Sequence, residues 1–232
     1  MAKKVAQIIE EQVQFWGLKN NPQKNMSSPF KKLPVITVSR EFGAKGAALA
    51  EIIGVKLGFK VWDKDLLDVI SKKLGSNKDY MQAIDENRRS MLEDTLFGFM
   101  NHKGTNLNYL IYLVKAIRSI EELGNSVIVG RGANFVCRNK HSFHVRIVSP
   151  LDKRVQDYAK NEQLSKQESL RFVTQKDKER VNFVEYNFNK DLELASNYDL
   201  VINSASFPLD VIAEIICTSY TNKLTSKEAA FS

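Results

Sequence analysis

Residues 33–58 read LPVITVSREFGAKGAALAEIIGVKLG, and this stretch decides the fold. The run Val35-Ile36-Thr37-Val38 predicts a strand, because β-branched side chains are stiff and pack well on a pleated surface. It breaks into a short loop that holds Gly43 and Gly46. Past the loop, Ala47, Leu49, Ala50, Ile52 and Ile53 follow a helical pattern. A strand, a glycine loop and a helix in that order aim backbone N–H groups and the positive end of a helix dipole at one point. That arrangement suits a phosphate.

The side chains of the loop complicate this reading. Gly43 and Gly46 do not give the G-x-G-x-x-G spacing of dinucleotide sites. On the G-x-x-x-x-G-K-[ST] pattern, with Gly46 as the second glycine, Glu41 stands at the first glycine, Ala47 at the lysine and Ala48 at the hydroxyl. A backbone cradle survives those changes, since N–H groups do not depend on side chains. The point charge on the terminal phosphates and the direct metal ligand do not survive them. Arg40 and Lys45 are cations that could restore the charge by another route. Loop shape alone leaves two readings open: a phosphate cradle over Gly43, Ala44, Lys45, Gly46, Ala47 and Ala48, or a plain strand-to-helix turn.

The rest of the chain repeats the strand–helix rhythm. Phe59-Lys60-Val61-Trp62 predicts a short strand ending at Asp63. From Asp65 to about Gly124 the pattern is helical (LLDVISKKLG, MLEDTLFGFM, LNYLIYLVKAIRSIEELG), with breaks at Gly75-Ser76-Asn77 and at residues 102–106. Ser126-Val127-Ile128-Val129 runs into Gly130-Arg131-Gly132. His144 to Val148 predicts another strand, ending at Ser149-Pro150. A charged helical stretch from Leu151 to Tyr186, a last strand from Tyr198 to Asn203 and an amphipathic helix from Asp210 to Tyr220 complete the core. Short apolar strands alternating with helices predict a parallel sheet covered on both faces, with its ligand site beyond the carboxyl ends of the strands. The division expected is an N-terminal helical extension and linker over 1–33, a main domain over 34–220 and a polar tail over 221–232. Val5, Ile8, Ile9, Val13 and Trp16 give the extension one apolar face, suited to docking on the main domain or on a second subunit.

Composition narrows the function. The 232 residues are 43% hydrophobic, enough for one real core, and no apolar run approaches the ~20 residues a membrane span needs. Neither a signal peptide nor a disulfide framework is read, and Cys137 and Cys217 fit a reducing, cytoplasmic setting. A net charge of +7 suits a phosphorylated ligand and suits weak nucleic-acid binding too, but no block of consecutive bases marks a dedicated nucleic-acid tail. His102, His141 and His144 are not spaced for a zinc site with Cys137, so no metal-ligand set is assigned. Phe183, Tyr186 and Phe188 alternate with polar residues and read as core packing or a dimer contact before base stacking.

SREFGAKGAALAEIIGVKLGFKVWDKDLL resembles the opening of the cytidylate kinase-like family, a bacterial branch of the P-loop nucleoside monophosphate kinases. VIVGRGANFVCRNK, HVRIVSPLDKRV, KDKERVNFVEYNFNKD and SNYDLVINSASFPLD resemble that family's later motifs, in order, from about Val35 to Ile216. The resemblance implies a three-layer α/β domain of the P-loop NTPase type, with a helical acceptor and lid region. It implies phosphoryl transfer from ATP, with Mg2+, to a nucleoside monophosphate (CMP- or dCMP-like) or a similar small acceptor. Arg131, with Asp63, Arg88 and Asp177, would place the acceptor, while Arg154, Lys176 and Arg180 would neutralise the moving charge from a mobile lid. A helix cap explains Asp63 equally, a solvated helix face explains Asp85 to Arg88, and Asp177 and Arg180 are spaced to pair with each other. The chain departs from the family at Ala47, where a basic residue is usual, and at Gly132, where cytosine-reading members have aspartate. The other reading is therefore a nucleotide-binding protein that has lost catalysis and serves a regulatory or scaffolding role. No membrane or nucleic-acid partner is expected, and a homodimer is left open.

Overall fold

The computed structural model describes residues 32–63, 67 and 107–228. The N-terminal extension, the helices expected over LLDVISKKLG and MLEDTLFGFM, and Arg88 lie outside the described residues. Five strands form one sheet: β1 (Ile36–Arg40), β2 (Lys60–Trp62), β3 (Ser126–Val129), β4 (Phe143–Val148) and β5 (Leu200–Asn203). Their order is β2-β3-β1-β4-β5, and every pairing is parallel. The first strand therefore lies at the centre, between β3 and β4, with the glycine loop leaving its carboxyl end.

Helices cover both faces. Among the described residues they are α1 (Gly46–Leu57), α2 (Leu107–Leu123), α3 (Ala133–Val136), α4 (Leu151–Glu162), α5 (Lys166–Phe188) and α6 (Leu209–Glu228). Side chains alternate across a strand, so the faces build separate cores. Ile36 and Val38 of β1 pack with Leu49, Ala50 and Ile53 of α1 and with Ile212, Ile216 and Tyr220 of α6. Val35 and Ile128 pack on the other face with Trp62, with Leu113 and Ile117 of α2, and with Val184 and Phe188 of α5. This is a three-layer α/β architecture, a parallel sheet between two layers of helices. No helix among the described residues is long and apolar enough to cross a membrane.

Element ends follow local chemistry. Gly58, at φ +66°, closes α1, and the Phe59 N–H returns to Gly54 O at 2.8 Å. The charged stretch from 151 to 186 is a hairpin of two helices, α4 and α5. Gln163 takes a left-handed turn between them, and Ser165 with Glu168 forms a capping box that starts α5. The last helix continues past Tyr220 to Glu228, through part of the expected polar tail. His144 faces Thr37 across the β1–β4 ladder, its Nδ1 2.8 Å from Thr37 Oγ1. Burial pushes its pKa down to about 4, so it sits in the sheet as a neutral side chain.

Candidate active site

The glycine loop begins where the β1 ladder ends, with the Glu41 N–H on Ile147 O at 3.1 Å. Lys45 adopts a left-handed conformation (φ +59°) and serves as the N-cap of α1, which has no side-chain cap. The first intrahelical bond runs from Leu49 N–H to Lys45 O at 3.0 Å. The N–H groups of Gly46, Ala47 and Ala48 therefore have no intrahelical acceptor. Gly43, Lys45, Ala47 and Ala48 are exposed, while Ala44 and Gly46 are buried. The backbone of the loop thus presents donors to solvent at a helix N-terminus. The residues fit phosphate oxygens better than a side-chain-bound metal. Ala48 has no side-chain oxygen, and the described residues contain no group of three or more His, Cys, Asp or Glu able to hold an ion.

The α4–α5 hairpin anchors this loop. Arg154 is buried, and its Nε donates to Ser149 O (2.8 Å) while Nη1 donates to Phe42 O (3.0 Å). The same guanidinium pairs with Asp177 and lies 3.5 Å from Glu41 Oε2. Asp177 Oδ1 accepts the Phe42 N–H at 2.7 Å, and Glu41 Oε2 accepts the Ser149 N–H at 2.8 Å. Both backbone polar groups of Phe42 are thus held by the hairpin. Its ring is held as well, edge-on to Tyr158 and Phe172, which stack on each other 4.9 Å apart. Asp177 consequently pairs with Arg154 rather than with its helix neighbour Arg180.

Beside the loop, on the α3–α5 face of the sheet, lies a cavity of about 310 Å³. Thr37 and Ser39, both buried, form its floor, and Arg40, Arg131, Lys176 and Arg180 bring four cations to its walls. Arg180 Nη1 donates to Arg40 O at 3.1 Å, and its guanidinium lies 5.4 Å from the Phe42 ring centroid. Burial lowers its pKa and nearby Asp177 raises it; an arginine stays cationic through such changes. Arg131 stands over Phe183 at 4.9 Å, and Lys176 pairs with Glu179, the acid of the cavity wall, at 2.8 Å.

Two glycines shape this wall. A Cβ on Gly130 would lie 2.0 Å from Arg40 Nη1, so a side chain there would displace the guanidinium from the cavity. At Gly132, with φ +67°, a Cβ would lie 2.4 Å from the Phe188 ring. A side chain at position 132, an aspartate included, would have to push the Phe188 ring aside.

The structure therefore brings Arg40, Arg131, Lys176 and Arg180 together around one cavity. It places Arg154 and Asp177 behind the loop, where they hold its backbone. Asp63 is exposed, away from the cavity lining, and its backbone oxygen accepts the Leu67 N–H at 3.0 Å, the spacing that opens a helix. Thr37, Ser39, Asn134, Glu179 and Phe183 also line the cavity, and the sequence reading missed all five. For Thr37 and Ser39 a signal existed, since alternation along β1 sets both on the face opposite Ile36 and Val38.

The pattern of the cytidylate kinase-like family matches residues 35–206. No curated protein matches the sequence. Among solved structures the chain is similar to an uncharacterized protein from Eubacterium ventriosum, at 19% identity and a TM-score of 0.66, covering 83% of this chain and 99% of that one. It is also similar to shikimate kinase from Acinetobacter baumannii in complex with shikimate, at 11% identity and a TM-score of 0.43, covering 84% and 94%. APS kinase from Mycobacterium tuberculosis, in complex with AMPPNP and APS, is similar at 12% identity and a TM-score of 0.41, covering 82% and 98%.

Proposed function

Because the chain belongs to the cytidylate kinase-like family, we propose that it transfers a phosphoryl group from ATP to a nucleoside monophosphate or a similar small acceptor in the cytoplasm. The observation that carries this reading is the cavity at the carboxyl ends of β1 and β3, walled by Arg40, Arg131, Lys176 and Arg180. In the reaction an acceptor phosphate oxygen bonds to the terminal phosphorus of ATP while the bond to the bridging oxygen breaks, and ADP leaves. Such transfer needs positioning and charge stabilisation rather than covalent help, so converging cations beside a donor-rich loop are sufficient machinery.

In this reading the open N–H groups of Gly46 to Ala48 hold donor phosphates, and the magnesium of the substrate complex arrives on the triphosphate. Arg131 and Arg180 take the acceptor phosphate, and Lys176 and Arg40 add positive potential. Arg154 and Asp177 maintain the loop. The acceptor is not tied to cytosine, because position 132 is closed to a carboxylate. The test is an assay of purified protein with ATP, magnesium and a panel of nucleoside monophosphates that includes CMP and dCMP. Product with any acceptor, lost in Arg131→Ala, is the expected result. Ala47 and Ala48 favour a second reading, a nucleotide-binding protein without catalysis. ATP binding by calorimetry with no turnover on any acceptor would establish that reading in place of the first.

A further inference from the structure

Arg146 lies on β4 in register with Ser39 of β1 and is 4% exposed. Its Nη1 donates to Ser39 Oγ at 3.4 Å, and its guanidinium lies 5.9 Å from the Tyr198 ring centroid. Among the described residues no carboxylate pairs with it. This guanidinium has a long bond to a hydroxyl, the face of the Tyr198 ring and the Tyr198 hydroxyl as neighbours, but no counter-charge, and a buried cation without one is costly. Ser39 is also part of the cavity floor, so a single hydroxyl separates Arg146 from the cavity. The Tyr198 hydroxyl gives its one hydrogen to Leu192 O at 2.7 Å, which ties a further wall residue to this cluster. Elsewhere on the wall, the side-chain nitrogen of Asn134 is buried with no partner. The cavity thus has an unpartnered amide on its wall and, one hydroxyl away, a buried cation with no carboxylate beside it.

We propose that the cavity takes a phosphate monoester bearing a second anionic group, a carboxylate or a phosphate, which seats at Ser39 and answers the charge of Arg146. The proposal rests on the reading of this cavity as the acceptor site. Ser39 Oγ accepts from Arg146 and lies 3.4 Å from the Tyr198 hydroxyl, and an anion in the cavity is the stronger acceptor for its hydrogen, so with a ligand present it relays the positive charge. Carboxylate and phosphate share the paired oxygens that suit such a donor cluster. Arg146 is in this sense a positioning residue, acting on the ligand through Ser39.

Titration calorimetry on the full chain at fixed ionic strength tests the idea with three probes. UMP carries one anionic group, orotidine 5′-monophosphate adds a carboxylate on the base, and uridine 3′,5′-bisphosphate adds a phosphate. At least one two-anion probe should bind about tenfold tighter than UMP or better, one well-placed charge interaction being worth that much. That ratio should fall to near one in Arg146→Met and largely survive in Arg146→Lys. Should Arg146→Met fail to fold, Ser39→Ala serves, with the same expected loss of ratio. UMP binding as tightly as both two-anion probes overturns the proposal and leaves the acceptor-site reading standing. If no probe binds, the acceptor-site reading fails, and the proposal fails with it.

Discussion

Replacing Arg154 with methionine separates a scaffold from a catalytic lid. The side chain of Arg154 is 6% exposed, and it holds Ser149 O, Phe42 O, Asp177 and Glu41 at once. Methionine fills most of the stem volume, so the loss is one of charge and hydrogen bonds rather than of packing. Removing one partner of a buried ion pair costs about 3–5 kcal/mol. Asp177 and Glu41 keep 24% and 22% of their side-chain exposure, so water relieves part of that penalty. The low end, about 3 kcal/mol, is the expected loss, and for a chain of this size it lowers the melting temperature by roughly 6–12 °C. Thermal melts of wild type and variant in one buffer read the shift directly. Below the new melting point, the KM for ATP should rise more than kcat falls, because a loosened loop weakens donor binding. A drop below about 2 °C together with a thousandfold loss of kcat would refute this reasoning and put Arg154 on the moving phosphoryl group.

Other expectations follow from the same geometry. Gly132→Asp should destabilise by roughly 3 kcal/mol, since it combines left-handed strain with a clash against Phe188; a melt within 1–2 °C of wild type would contradict the crowding at that wall. Ala47→Lys places an ammonium at an exposed position beside the open loop amides, and calorimetry should show ATP binding about tenfold tighter; an unchanged affinity would mean that charge at 47 is not what the loop lacks. His144 has a folded pKa of about 4 against 6.5 unfolded, so the unfolded chain binds more protons between those values. Stability is then fully present above pH 6.5 and falls by about 3 kcal/mol as the pH drops toward 4. Denaturant titrations at several pH values should show that slope, and His144→Gln should flatten it.

Much of the fold was legible because hydrophobic periodicity is a local property. Each β-branched run from Val35 to Ile202 announced a strand, and the helices between them required parallel connections, so the sheet and its ligand edge followed. The long charged stretch after Pro150 was harder. Gln163 carries no turn signal of its own, and the break in that stretch comes from the capping box at Ser165 and Glu168, whose pattern is recognisable in retrospect. The arginines were legible as a set. Arg131 and Arg180 follow motifs and do reach the cavity, whereas Arg154 follows a motif just as well and is drawn behind the loop. Its separation from Asp177 is 23 positions, and no local pattern says that they meet.

By itself the sequence determined the parallel α/β class, the placement of a glycine loop at the end of the first strand, and the alanines that stand where a lysine and a hydroxyl usually follow Gly46. These are matters of residue type and spacing, set by the periods of strand and helix. Only the tertiary structure decided which charges face the cavity and which brace the scaffold. Arg40, Arg131, Lys176 and Arg180 come from three different segments and converge because β1 and β3 are neighbours and α5 crosses their ends. Arg146, inside an ordinary strand pattern, becomes a buried charge behind the cavity floor for the same reason: register pairs it with Ser39. Long-range register and packing assign roles to charged side chains, and neither is written in any short stretch of chain.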